Sequence, residues 1–194
     1  MKLKVLVACE FSGIVRDAFI AKGHDAKSCD LLPTESPGPH IQEDVRWVLK
    51  YGKWDLVIAH PPCTYLCNSG VRWLHERDER WAELDKAAEF FKELLNVNCS
   101  KVAVENPVMH KYAIKRIGRK HDFTIQPWQF GHGECKRTCF WTKNLPPLNP
   151  TNIVNGRKQR SANKPPGPDR WKKRSRTLPG IARAMAEQWG NIGL

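Results

Sequence analysis

At 194 residues, 41% of them hydrophobic, the chain can bury one sizeable core and has the composition of an ordinary globular protein, not of a disordered or fibrous one. Thirty-two Lys and Arg stand against 20 Asp and Glu, and a formal net charge of +12 favours a polyanionic partner. No apolar run reaches the length of a membrane span. Met1 to Ala8 is too short and too quickly interrupted by lysine for a secretory leader, so the expectation is a cytoplasmic protein. Seven cysteines, an odd number in a compartment read as reducing, argue against a disulfide framework.

In chain order, Leu3 to Cys9 is a short β-rich run. Glu10-Phe11-Ser12-Gly13 follows, then a helical pattern through Ile14, Val15, Ala18, Phe19 and Ile20 that ends at Gly23. A second strand ends near Cys29-Asp30, and a Pro- and Gly-rich loop from Pro33 to Pro39 leads to Asp44. Trp54 to Ala59 is a buried strand running into His60-Pro61-Pro62-Cys63. Trp81, Leu84, Ala88, Phe91, Leu94 and Leu95 recur at helical spacing and predict a helix over about 77–97. Lys101 to Glu105 reads as a strand stopped by Asn106-Pro107; Phe123 to Gln126 and Arg137 to Trp141 read as two more, and Leu178 to Trp189 as a final helix. The alternation predicts one α/β domain over 1–194 with a mostly parallel sheet. Residues 144–177 break it, with six prolines and a run of cations including Arg157, Lys158, Arg160, Lys164, Arg170 and Lys172. They predict an irregular basic excursion rather than a core element.

Four polar clusters fall at predicted strand ends: Glu10-Phe11-Ser12-Gly13, Asp30, His60-Pro61-Pro62-Cys63 and Glu105-Asn106-Pro107. Ligands of open α/β sheets bind outside the carboxyl ends of the strands, so these distant groups converge on one cleft. A glycine after the first strand suits a nucleoside cofactor, and an acid closing the second suits ribose hydroxyls. Without a GxGxxG, a phosphate-binding loop is disfavoured. Two prolines fix the backbone before Cys63 and aim its side chain, and a thiolate there is a strong nucleophile. Glu105 supplies a carboxyl group able to hydrogen-bond the Watson–Crick edge of a flipped base. Cys63/Cys67 and Cys135/Cys139 have spacings a zinc site permits, but the second pair flanks a strand-like run, and no metal is assigned. Cys67 receives no role beyond a small buried or cleft-lining residue, and His60 reads as a cleft wall.

Pro61-Pro62-Cys63 followed by Glu105-Asn106-Pro107 resembles the Pro-Cys and Glu-Asn motifs of the DNA (cytosine-5) methyltransferases, in the short form carried by phages and prophages. The resemblance runs from Val5 to about Trp141. It implies a Rossmann-like sheet dependent on S-adenosylmethionine, single-domain, with a basic C-terminal excursion. It also implies a covalent mechanism: Cys63 adds to carbon 6 of cytosine, Glu105 holds or protonates ring nitrogen 3, and Arg137 contacts the base oxygen, with Lys136 adjacent as the alternative. Glu10, Phe11, Ser12, Gly13 and Pro61 line the cofactor pocket by the same resemblance, Asp30 holds the ribose, and Asp44 lies near the adenine amine. Asn106, Lys136, Arg157, Lys158, Arg160, Trp171, Lys172, Lys173 and Arg174 are the expected DNA contacts, cations on phosphates and the indole against a base. No membrane and no protein partner is implied. The sequence departs from the family in His60 and Thr64 around Pro-Pro-Cys, in Pro107 after Glu-Asn, and in Val15 for a second glycine. Only the 144–177 excursion stands where a target-recognition domain is expected. That keeps open RNA or a free cytosine nucleotide as substrate, and a catalytically silent DNA-binding or anti-restriction protein.

Overall fold

The computed structural model describes residues 1–159 and 165–192. Strand and helix alternate as β1 (Lys4–Ala8), α1 (Ile14–Ala21), β2 (Asp25–Asp30), β3 (His40–Gln42), α2 (Val45–Tyr51), β4 (Leu56–Ala59), α3 (Trp73–Glu76), α4 (Glu79–Leu95), β5 (Lys101–Pro107), α5 (Lys111–Ile117), β6 (Phe123–Ile125), β7 (Thr138–Lys143), α6 (Arg170–Ser175) and α7 (Pro179–Trp189). The strands make one sheet in the order β3-β2-β1-β4-β5-β7-β6. β1 to β5 pair in parallel, and β7 runs antiparallel to both β5 and β6. The order reverses between β1 and β4, and their carboxyl ends mark the ligand-binding crevice of this sheet type.

Strand alternation divides the core into two layers. Val5, Val7, Leu56, Ile58 and Ala103 face one side, where they meet α1 through Val15 and Phe19 and α7 through Ile181, Met185 and Trp189. Leu6, Ala8, Val57, Ala59, Val102 and Val104 face the other, against Leu84, Ala88, Phe91 and Leu94 of α4. Phe91 meets the fully buried Trp141 of β7 edge to face, ring centroids 5.0 Å apart. Each such buried side chain stabilises the fold by roughly 1.5–3 kcal/mol. At Gly180, in the first turn of α7, any Cβ would collide with the Phe130 carbonyl, so the close docking of that helix requires glycine.

Three expectations are corrected. β5 is not stopped by Asn106-Pro107 but continues through Pro107. β4 has ended at Ala59, so these residues pair with β7 alone, Pro107 opposite Thr138, where a missing N–H is tolerated. The excursion is not wholly outside the core: Leu145 and Leu148 are buried in the α7 layer, and Pro146 accepts a hydrogen bond from Trp189 Nε1 at 3.0 Å. It also holds a short helix, α6. β3, α2 and α5 lie in stretches given no element from the sequence. Their lengths of 3, 7 and 7 residues leave little periodicity to detect.

Candidate active site

Register places the polar residues before any side chain is considered. Ala8 pairs with Cys29 and Ala59, and Ala59 with Val104. One step further, Asp30, Cys9, His60 and Glu105 form a row across the carboxyl edge, neighbours about 4.8 Å apart. Alternation then turns His60, two residues after Ile58, and Glu105, two after Ala103, to the same face. His60 Nδ1 and Glu105 Oε2 are 3.1 Å apart, with side chains only 9% and 16% exposed. An ionised carboxylate can only accept, so Nδ1 carries the proton. His60 Nε2 is buried without a hydrogen-bond partner among the described residues. Burial works to raise the Glu105 carboxyl, but the hydrogen bond and charge of His60, with the Lys136 ammonium, hold it below its ordinary value.

The chains leaving β4 and β5 are fastened together. Asn106 Nδ2 donates to the Pro61 carbonyl at 3.3 Å, Asn68 N to Val108 O at 2.8 Å, and His110 N to Leu66 O at 3.1 Å. The His110 imidazole also reaches the Tyr65 carbonyl, 3.0 Å away. Asn106 Oδ1 is a second buried polar atom with no partner among the described residues. After Pro61-Pro62 the backbone makes a single helical turn in which Cys67 N donates to Cys63 O at 2.9 Å. That turn brings the two thiols close enough to shift each other's protonation, and Cys67 also meets Ser69 Oγ at 3.0 Å. The first proton leaves readily: the Cys63 hydrogen bond, then Ser69, pull Cys67 down to about 5. The second is held, because the Cys67 hydrogen bond, burial, and the charges of Cys67 and Glu105 push Cys63 up, with only Lys136 opposing. Cys63, Glu105 and Lys136 therefore share one electrostatic neighbourhood. Arg137 is exposed, and its charge bears on Cys139. A narrow recess opens between Glu105, Lys136 and Thr138 on one side and Thr177 and Leu178 on the other.

The end of β1 and β2 is occupied by the protein's own groups. Glu10 is 5% exposed, and its carboxylate accepts Ser12 Oγ (3.1 Å), Val15 N (2.7 Å) and Arg16 N (3.3 Å), capping α1. Gly13 sits at φ +74°, where a Cβ would strike the fully buried Arg16 guanidinium. That guanidinium reaches Ser28, Thr34 and the Ser36 and Pro37 carbonyls, and organises the Pro33–Pro39 loop. Asp30 accepts the Leu32 N–H at 3.0 Å and is raised by burial, partly offset by that bond and by His40. Asp44 caps α2 by accepting Arg46 N at 2.9 Å. Phe11 is covered by Trp171 of α6, ring centroids 6.0 Å apart.

The basic excursion is tied to this rim. Arg157 lies over Trp128 at 3.9 Å, Lys158 O accepts Cys135 N at 2.9 Å, and Arg160 falls outside the described residues. Lys172 and Lys173 lie on α6; Arg174 O accepts Lys136 Nζ at 2.9 Å, and Arg176 makes two 2.7 Å bonds to Glu35. The sequence reading missed a second cationic surface. Arg72 and Arg77 stack on Trp73 at 4.3 and 4.8 Å, and Arg80 lies over Tyr65 at 4.6 Å, on the segment after Cys63. Alternating Arg and aromatic residues in 65–80 were the available signal. Also missed was the His60–Glu105 pair, legible only once strand register is known. Among the described residues no group of three His, Cys, Asp or Glu could hold a metal ion, and no helix is long and apolar enough to cross a membrane.

No protein-family model and no curated protein matches the chain. Among solved structures it is similar to the Entamoeba histolytica methyltransferase EhMeth, with a TM-score of 0.51 at 13% identity over 82% of this chain. The chain spans 58% of that protein's length. With the strand order above, this likeness shows a Rossmann-like α/β fold of the methyltransferase type.

Proposed function

We propose that the chain is an S-adenosylmethionine-dependent methyltransferase that modifies carbon 5 of cytosine in DNA through a covalent adduct at Cys63. The observation that carries the reading is the fastening of the β4 and β5 ends, which sets the Pro-Pro-Cys thiol and the Glu-Asn carboxyl in one neighbourhood with Lys136. The cofactor, when bound, supplies an electrophilic methyl group. The donor set at the other end of the row fits it in part: Asp30 offers a carboxylate for ribose hydroxyls, and Phe11 an aromatic face for adenine once Trp171 withdraws. Glu10 and Gly13 support the pocket indirectly, by capping α1 and admitting Arg16.

The chain's own residues divide the remaining work. The Cys63 proton passes to the Cys67 thiolate as the Cys63 sulfur bonds to carbon 6, and as the ring electrons shift toward nitrogen 3 that nitrogen takes up a proton by way of Glu105. Lys136 stabilises both anions. Carbon 5 then takes the methyl group, its proton leaves to solvent, and the sulfur–carbon bond breaks to restore the ring. The target base must leave its stack, and α6, Arg157 with Lys158, and the Arg72–Arg80 segment offer it cations and aromatic faces.

Methyl-labelled S-adenosylmethionine offered with duplex DNA, single-stranded DNA, RNA and dCMP tests the proposal. Label in duplex DNA, mapped to 5-methylcytosine, and a trapped adduct with 5-fluorocytosine DNA are expected. Transfer confined to RNA or dCMP moves the substrate, and no transfer to any of the four overturns the reading.

A further inference from the structure

We infer that His60 is a positioning residue that feeds a proton to Glu105: Nδ1 fixes the carboxylate at the recess and supplies the proton that Glu105 delivers to the substrate ring. The inference rests on the cytosine reading and adds a residue and a proton source to it. Three observations carry it. His60 and Glu105 stand on adjacent strands, in register, on the same face, 3.1 Å apart. The imidazole is nine-tenths buried, yet Nε2 has no partner among the described residues. Leaving such an atom unpaired costs roughly 1–3 kcal/mol, and an apolar side chain at the end of β4 would avoid that cost.

The third observation is a deficit. Glu105 is held ionised by its surroundings, so at neutral pH it has no proton of its own to give. Lys136 lies near enough to stabilise that charge. Cys139 on β7 feels the carboxylate, and Cys63 and Cys67 share a proton on the turn after β4. Among the described residues, α7 contributes Ile181 and Met185 to the recess. The hydrogen-bonded donor to the carboxylate is His60 Nδ1. In the step, an imidazolium passes its Nδ1 proton to Oε2, Glu105 passes a proton to ring nitrogen 3, and the sulfur–carbon 6 bond forms. His60 is left neutral and the carboxylate is regenerated. On release nitrogen 3 returns its proton by the same route.

The test measures kcat and KM over about pH 5–9 for the full chain and for His60→Asn, which can still donate to Glu105 but does not titrate. A kcat loss of at least about tenfold at neutral pH, KM values within about twofold, and loss of the wild-type alkaline limb are expected. An unchanged kcat and pH profile overturn the inference. The second arm needs no activity: nitrogen-15 NMR follows the His60 ring in the free protein. Glu105→Gln replaces the facing anion with a neutral amide and is expected to move the His60 Nδ1 resonance at neutral pH, and an unmoved resonance overturns the pairing. If the wild type transfers no methyl group, the proton-feeding step falls with the reaction. A retained NMR coupling then places the failure in the substrate reading and not in the pair.

Discussion

The two halves of the carboxyl edge are built on opposite principles. At the end of β1 and β2 the polar groups are consumed by the protein: Glu10 caps α1, Arg16 satisfies the Pro33–Pro39 loop, Asp44 caps α2, and Trp171 covers Phe11. At the end of β4 and β5 the polar groups are left poised. His60 Nε2 and Asn106 Oδ1 lack partners among the described residues, and two thiols share a proton beside a carboxylate. The first half is where substitution damages stability, and the second is where it damages chemistry.

The largest expected effect is on the poised half. Cys63→Ala is expected to reduce methyl transfer at least ~10³-fold, about 4 kcal/mol of barrier, while urea unfolding shifts by under about 1 kcal/mol. A stability loss as large as the activity loss would erase the distinction between the two ends. Glu10→Ala is the converse: it strips one hydroxyl and two amides of their acceptor in a buried cap, and urea unfolding is expected to show a loss of about 2 kcal/mol. Its residual methyl transfer, measured on the folded fraction, should stay within about tenfold of wild type. A larger loss at full stability would make Glu10 a ligand of the cofactor and not a cap.

That distinction was only half legible in the sequence. Four of the five parallel strands, the antiparallel pair, α1, α4 and α7 were readable because their apolar periods are long or bounded by Gly and Pro, and the strand-end clusters followed from them; three-residue β3 was too short to read. The residue types at the site were visible too. Their partners were not. Glu10 and Phe11 read as pocket-lining because a strand-to-helix turn looks the same whether its acid faces a ligand or its own helix. His60 read as a wall because its significance depends on register with Glu105, 45 residues away. Cys67 gained meaning only from the single helical turn that stacks it on Cys63. Lys136 and Arg137 are adjacent in sequence, and only the direction taken on entering β7 separates the cation beside Cys63 from the one outside.

Cys67 sharpens the comparison by a smaller step. The Cys63 and Ser69 hydrogen bonds hold it below the usual thiol range, so the pair favours one thiolate. Cys67→Ser leaves Cys63 alone with burial and the Glu105 charge, both of which favour the thiol. Iodoacetamide modification of Cys63 at neutral pH, located by peptide mass analysis, is expected to slow about tenfold. A rate equal to wild type would show that Cys67 does not share its charge with Cys63.

The smallest effect tests whether the sealed half can open. Arg176 holds the Glu35 carboxyl below its usual value through their hydrogen bonds, but the side chains are 38% and 33% exposed. Such a tether is worth about 0.2–1 kcal/mol and weakens with salt. Because Glu35 is depressed in the folded protein, the tether is fully present above the unfolded carboxylate range. It is lost as pH falls through the depressed value. Glu35→Gln should reproduce that loss at neutral pH, and amide exchange of residues 171–175, followed by mass spectrometry, should quicken about two- to fivefold. The same factor bounds what the tether can cost a ligand that needs the Phe11 face. Cofactor affinity should rise by no more than about fivefold in Glu35→Gln, and a fall would mean that α6 forms part of the pocket rather than its cover.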